Sequence, residues 1–311
     1  MYISIKNIVL VIILIYGNPA FSSIDQNKLL TIPSPADDAE YKLTFGGRHG
    51  VFPVSRLVVY YGNFYSSRMG ILGEYSASEL WKRLKTEAQE WEKNDPSKPV
   101  ITGLHYIATV ASNHPGQDGL YRNRMSNAQI QKALSMVRME PGPILILDVQ
   151  PGLSDLQREI ARLDPFLTQP DVHLGVDPEF IMTDKAVPGH KIGTISYKDI
   201  NRAIDHLSEL VVKYQLPPKI LVIHRFTKKM VTGFDRLKSD SNVQVVLNMD
   251  GWGSPKTKIL TYEKVISSEK NILYPGIKLF YKNDIKQPPY RLLSKEEVLR
   301  LQPQPIYIQY Q

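Results

Sequence analysis

The sequence predicts an α/β fold, a (β/α)₈ TIM barrel, on three observations. Short β-branched and aromatic runs alternate with amphipathic stretches along most of the chain, and eight such runs can be counted with seven helical segments between them. Alternating strands and helices build βαβ units and a parallel sheet, and eight units over about 250 residues match the closed barrel. The competing architecture, an open doubly wound sheet, loses its dinucleotide-binding form because no glycine-rich phosphate loop follows the first run.

The strand runs fall at Arg56–Gly62, Val100–Val110, Pro143–Val149, Val172–Val176, Lys219–His224, Val243–Met249, Gly276–Tyr281 and Pro305–Tyr310. Helical segments are expected at Ala77–Lys93, Asn127–Arg138, Ser154–Leu167, Tyr197–Tyr214, Lys228–Leu237, Thr257–Ile266 and Ser294–Leu301. The first of these sets the pattern, with Leu80, Trp81, Leu84, Ala88 and Trp91 on one helical face. The barrel is thus expected over 56–311. Its last helix is missing, and a leader over 23–55, broken by Pro33, Pro35, Gly46, Gly47 and Gly50, is expected to pack on it.

At the start, Lys6 precedes an apolar run from Ile8 to Tyr16, and Gly17, Asn18, Pro19, Ala20 and Ser22 follow. A basic flank, a run too short to span a bilayer and small residues before Ser23 predict a signal peptide over 1–22 and export to the periplasm or beyond. No stable membrane span is expected after cleavage. The chain has no cysteine, which excludes thiol catalysis, thiolate metal sites and disulfides. Its formal charge of +7 is scattered, with the densest cluster at Arg225, Lys228 and Lys229. A nucleic-acid partner would call for a concentrated basic stripe, so none is expected.

Alternate residues of a barrel strand point inward, and active sites lie at the carboxyl ends. Four consecutive strands carry one face that starts apolar and turns polar. On the third, Ile144 and Ile146 precede Asp148 and Gln150; on the fourth, His173 and Gly175 precede Asp177 and Glu179. The fifth sets Ile220 and Val222 before His224, and the sixth sets Val246 before Asn248, Asp250 and Trp252. A single carboxylate at a strand end is as well explained by capping the next helix. Four adjacent strands with such groups are not, because desolvated polar groups are costly. Tyr60 or Tyr61 on the first strand, His105 or Tyr106 on the second, Tyr281 on the seventh and Gln309 on the eighth are further candidates.

Asp177-Pro178-Glu179 is the sharpest local signal. Two carboxyl groups this close raise one another's pKa, which keeps one protonated as a general acid, the group that glycosidic cleavage needs on its leaving oxygen. The Asp177-x-Glu179 pair and Asn248-Met249-Asp250 resemble the corresponding parts of chitinase-type glycoside hydrolases of the substrate-assisted class. That resemblance implies Glu179 as proton donor, with Asp177 and Asp250 positioning an N-acetyl group. Val172 and Gly175 stand where the family has further aspartates, and Gln309 or a neighbour where it has tryptophan. More broadly, LDVQPG, VDPEF, VIHRF and NMDGWG resemble exported bacterial barrel proteins without an assigned activity.

The reading is a glycoside hydrolase-like protein acting on a carbohydrate or cell-envelope ligand, without a cofactor or metal. Glu179, Asp177, Asp148, Asp250 and His224 form the catalytic group, and Gln150, Asn248, Trp252, Tyr281, Tyr60, His105 and Gln309 the binding residues. Two alternatives stay open. One is a barrel that binds a glycan without turning it over; the other is a metal-dependent hydrolase built on His105, His173, Asp148, His224 and Asp250.

Overall fold

The computed structural model describes residues 50–269 and 274–311. The expected signal peptide, and the leader up to residue 49, lie outside them. The eight barrel strands are β1 (Arg56–Gly62), β2 (Val100–Ala111), β4 (Ile144–Val149), β5 (Val172–Val176), β7 (Lys219–Arg225), β9 (Val243–Met249), β10 (Tyr274–Leu279) and β11 (Tyr307–Tyr310). They pair in parallel around the ring, and pairing of β1 with both β2 and β11 closes it. A closed sheet has no exposed edge, so every strand finds two neighbours. Three short strands lie outside the ring. β3 (Arg122–Arg124) folds back on the end of β2, and β6 (Ile195–Ser196) pairs with β8 (Val231–Thr232).

Between the strands run α1 (Ala77–Asn94), α2 (Asn127–Val137), α3 (Leu156–Ala161), α4 (Asp164–Leu167), α5 (Tyr197–Tyr214), α6 (Pro255–Tyr262) and α7 (Lys295–Leu299). Ser76, Ser126, Asp155, Ser196 and Ser294 cap five of them through their side chains, which sets where each helix begins. No helix among the described residues is long and apolar enough to cross a membrane.

Two helices expected from the sequence differ in the structure. Ser154–Leu167 divides into α3 and α4, because Pro165 in the first turn of α4 has no N–H to continue the ladder. Lys228–Leu237 is not a helix: two 3₁₀ turns flank β8, and Gly233 takes a left-handed φ of 67°. The Arg225 guanidinium holds the carbonyls of Thr227 and Lys228 that a helix would have used.

The core has two shells. The outer one, between strands and helices, includes Leu80, Trp81, Leu84 and Trp91 of α1 and the outward residues of the strands. The inner one fills the amino-terminal half of the barrel with Leu57, Val59, Ile144, Ile146, Ile220, Val222 and Val246. Val51 and Phe52 stopper it from below, their N–H groups donated to Oε1 of Gln244 and the Phe52 carbonyl accepting from Nε2. Above this apolar plug the lumen becomes polar.

Candidate functional site at the carboxyl end of the barrel

The inward face continues upward as Tyr61 on β1, His105 on β2, Asp148 on β4, Gly175 on β5, His224 on β7, Asn248 on β9, Lys278 on β10 and Gln309 on β11. The side chains of these residues are buried, and Gly175 contributes none. The glycine is required there, because a Cβ at Gly175 would stand 2.4 Å from Nε2 of His105 and 2.6 Å from Oδ1 of Asp148. Nε2 of His105 lies 3.4 Å and Nε2 of His224 3.6 Å from Oδ1 of Asp148. The ligand-capable atoms of these three residues all fall within 4.8 Å of one another, a His/Asp cluster that could hold a metal ion.

Each member of the cluster is held from behind. Tyr61 donates to Oδ2 of Asp148 at 3.0 Å, and Asp250 Oδ2 lies 3.1 Å from Nδ1 of His224. Nδ1 of His105 lies 2.7 Å from the Tyr307 hydroxyl and 2.8 Å from the Gln309 amide, which in turn meets Asn248. Burial pushes the Asp148 carboxyl up, but His224, His105 and Tyr61 outweigh it and hold the group well below the carboxylate range. The same burial takes His105 down to about 4. At His224 burial is overcome by Asp148 and Asp250, and its pKa rises.

Above this layer opens a cavity of about 550 Å³, lined by Tyr61, Gln150, Asp177, Glu179, Asp250 and Lys278, with Trp252 and three phenylalanines on its wall. Asp177 is pinned: Oδ1 accepts from the Glu179 N–H and Oδ2 from the Gln150 amide. It caps the 3₁₀ turn Pro178–Phe180, which lifts Glu179 to the cavity wall. The turn is tied to the loop after β4, since Gly152 donates to the Phe180 carbonyl and accepts from Met182. Gly152 has φ 62° and packs where a Cβ would meet the Tyr121 carbonyl at 2.5 Å. Burial, with Asp250 and Asp148 nearby, drives the Asp177 pKa well up against the pull of His224. Glu179 is half-buried and raised by burial and Asp250; its carboxyl has no hydrogen bond or ion pair among the described residues.

Lys278 was not legible as a site residue. Its ammonium lies 3.6 Å from the centre of the Tyr61 ring and faces the cavity, with no carboxylate within ion-pair distance among the described residues. Burial lowers its pKa while Asp250, Asp177, Asp148 and Glu179 oppose that shift. The available signal was its spacing, two residues after Gly276 and two before Phe280.

The candidate residues therefore separate by depth. Asp177, Glu179, Asp250, Gln150 and Trp252 line the cavity, whereas Asp148, His224, His105, Asn248 and Gln309 form the layer beneath. Tyr60 and Tyr281 lie outside both. They point away from the lumen, 3.5 Å apart at their hydroxyls, and line a separate cleft of about 390 Å³ against α1. On β1 it is Tyr61 that faces inward, and on β2 it is His105. His173 stays in the amino-terminal layer, its Nδ1 accepting from the Ile220 N–H.

The cavity rim is fixed by a buried ion pair. Nζ of Lys258 on α6 lies 3.1 Å from Oδ2 of Asp284, and both side chains are fully buried. Lys258 also donates to the Gly251 carbonyl, while Asp284 accepts from the N–H groups of Gly253 and Phe280. The pair thus clamps the 250–253 loop, which carries Asp250 and Trp252, to the end of β10.

No protein family matches this chain, and no curated protein does. Among solved structures, the chain is similar to o-succinylbenzoate synthase from Thermosynechococcus elongatus BP-1, solved with Mg in its active site. The identity is 12% and the TM-score 0.29, over 74% of this chain and 62% of that one. The chain thus spans less than two thirds of that enzyme's length.

Proposed function

We propose that the barrel mouth is the active site of a hydrolase that cleaves glycosidic bonds, with Glu179 as general acid and base. The observation that carries this reading is the state of Glu179. Its carboxyl stands on the cavity wall without a partner, and burial and Asp250 raise its pKa. Such a group can give its proton to a leaving oxygen and take one back from water. Asp250 lies on the same wall, beside Asp177, and supplies negative field that a sugar cation needs as its bond to the leaving group breaks. Trp252 is 53% exposed and offers an aromatic face to a sugar ring, and the Lys278 ammonium offers donors to its hydroxyls.

The ligand is proposed to be a glycan of the cell envelope, in keeping with the export expected from residues 1–22. A barrel that only binds its ligand has no use for a protonatable carboxyl left unpaired in the cavity. The test is a panel of cell-envelope and N-acetylated glycans offered to the wild type and to Glu179→Gln. Cleavage by the wild type with loss in the variant, and binding kept in both, supports hydrolysis. Binding without turnover by the wild type would replace hydrolysis with the binding reading, and equal turnover by both proteins would remove Glu179 from the reaction.

A further inference from the structure

Beneath the cavity, three atoms with no hydrogen-bond partner meet. Nε2 of His105, Nε2 of His224 and Oδ1 of Asp148 are all buried and make no hydrogen bond, facing only one another, although the other polar atom of each side chain is engaged. Leaving three buried polar atoms unsatisfied at one point costs folding free energy, and native structures seldom do it without a use for them.

We infer that His105, Asp148 and His224 bind one divalent transition-metal ion of the zinc class, in a four-coordinate site whose fourth position is free of these three ligands.

The spacing carries the choice of geometry. An ion with bonds of about 2.0–2.1 Å to nitrogen and oxygen sets tetrahedral ligand atoms about 3.3–3.4 Å apart. The observed edges from Asp148 Oδ1 are 3.4 Å to His105 and 3.6 Å to His224. Octahedral ligands at the same bond length would stand closer, about 3.0 Å apart. Two imidazoles and one carboxylate also suit zinc-class ions better than magnesium or calcium, which prefer oxygen.

The surroundings are those of a metal site. The Nδ1 proton of His224, given to Asp250, leaves Nε2 with its lone pair directed at the cluster, the carboxylate–histidine arrangement that orients metal ligands. On the other side the Tyr307 hydroxyl and Nε2 of Gln309 hold Nδ1 of His105, at 2.7 and 2.8 Å, and so aim its Nε2 at the cluster. Tyr61 occupies Oδ2 of Asp148 and leaves Oδ1 to the ion. Gly175 keeps the space open, because the methyl of an alanine there would press on two of the three ligand atoms. This inference stands apart from glycosidic cleavage, since it concerns the layer below Glu179 and is read out by binding alone.

The experiment is titration of the metal-stripped full chain with Co²⁺ and Zn²⁺, followed by the Co²⁺ d–d spectrum and by competition with a chromophoric chelator. The expected result is one equivalent bound with intense tetrahedral bands. Binding is lost in Asp148→Asn and Gly175→Ala, weakened about 10–100-fold in Asp250→Asn, and unchanged in Glu179→Gln. Circular dichroism identifies any variant that has not folded, and the wild-type titration decides the matter without it. Failure of the wild type to bind one equivalent overturns the inference. So do weak octahedral bands, or full binding by a folded Asp148→Asn.

Discussion

Asp250 accepts one hydrogen bond from His224, 3.1 Å from Oδ2 to Nδ1, and leaves Oδ1 without a partner. One carboxylate therefore serves two depths of the barrel: it orients an imidazole in the layer below and charges the wall of the cavity above.

That double position gives a pH prediction for Glu179. As a general acid it works while protonated, so activity falls as pH rises through its pKa. Burial and Asp250 raise that pKa, whereas Lys278 and His224 lower it. Asp250→Asn is expected to move the basic limb of the pH–activity profile to lower pH, and Lys278→Met to move it to higher pH. Profiles of kcat/KM for the two variants check the opposite signs, and a shift in the same direction would contradict the assignment.

Glu179→Gln is expected to lower kcat on a cleaved glycan by about 10²–10⁴-fold, the usual contribution of general acid–base catalysis. Folding stability should stay within about 0.5 kcal/mol, because the carboxyl has no partner to lose. Steady-state rates and urea denaturation measure the two effects separately.

Breaking the Lys258–Asp284 pair should cost far more. Removing one partner of a buried ion pair typically destabilises by about 3–5 kcal/mol, because the other charge stays buried. Asp284→Asn is expected near that range, whereas the double variant Lys258→Met/Asp284→Leu should recover part of the loss. Chemical denaturation of the three proteins forms the check. A loss near zero in the single variant would show that the clamp on the 250–253 loop is not structural.

Lys219 makes a separate prediction about alkaline stability. It is buried at the start of β7, its ammonium donating to the carbonyls of Gln169 and Val172, and burial takes its pKa from 10.5 to about 7 against the pull of Asp171. Between these values the unfolded chain holds a proton that the folded chain has lost, so stability rises with pH across that window and is lost again on the way down. Urea midpoints at pH 7 and pH 10 should therefore differ in the wild type. Lys219→Met should flatten that difference.

The barrel was legible because its strands and helices have different hydrophobic periods, and both periods persist through the chain. What failed locally failed for local reasons. The segment after β7 has helical spacing, but Arg225 takes its carbonyls and Gly233 turns it. At the site, parity was readable wherever a strand was apolar on one face and polar near its end, as with Ile144, Ile146 and Asp148. It was not readable on β1 or at the end of β10, where the adjacent aromatics Tyr60 and Tyr61, and Phe280 and Tyr281, fall on opposite faces. The expectation there is Tyr60 or Tyr61, and Tyr281, whereas the residues that face the lumen are Tyr61 and Lys278. Depth was not legible at all: nothing in the spacing says that Glu179 reaches the cavity while Asp148 and His224 lie under its floor. That depends on the cap which Asp177 places on the Pro178–Phe180 turn.

The pairing of β1 with β11 bears on the order in which the molecule can be made. His105 meets Tyr307 and Gln309 across more than two hundred residues of sequence, and these two partners lie on the last strand to be synthesised. Until β11 is in place, β1 has a partner on one side only, β2, and the imidazole of His105 lacks the groups that fix its orientation. The polar layer is complete only when β11 stands between β10 and β1. Long-range closure of this kind is slow relative to local pairing. A ligand of the polar layer would therefore find its full set of partners only once β11 has paired with both neighbours.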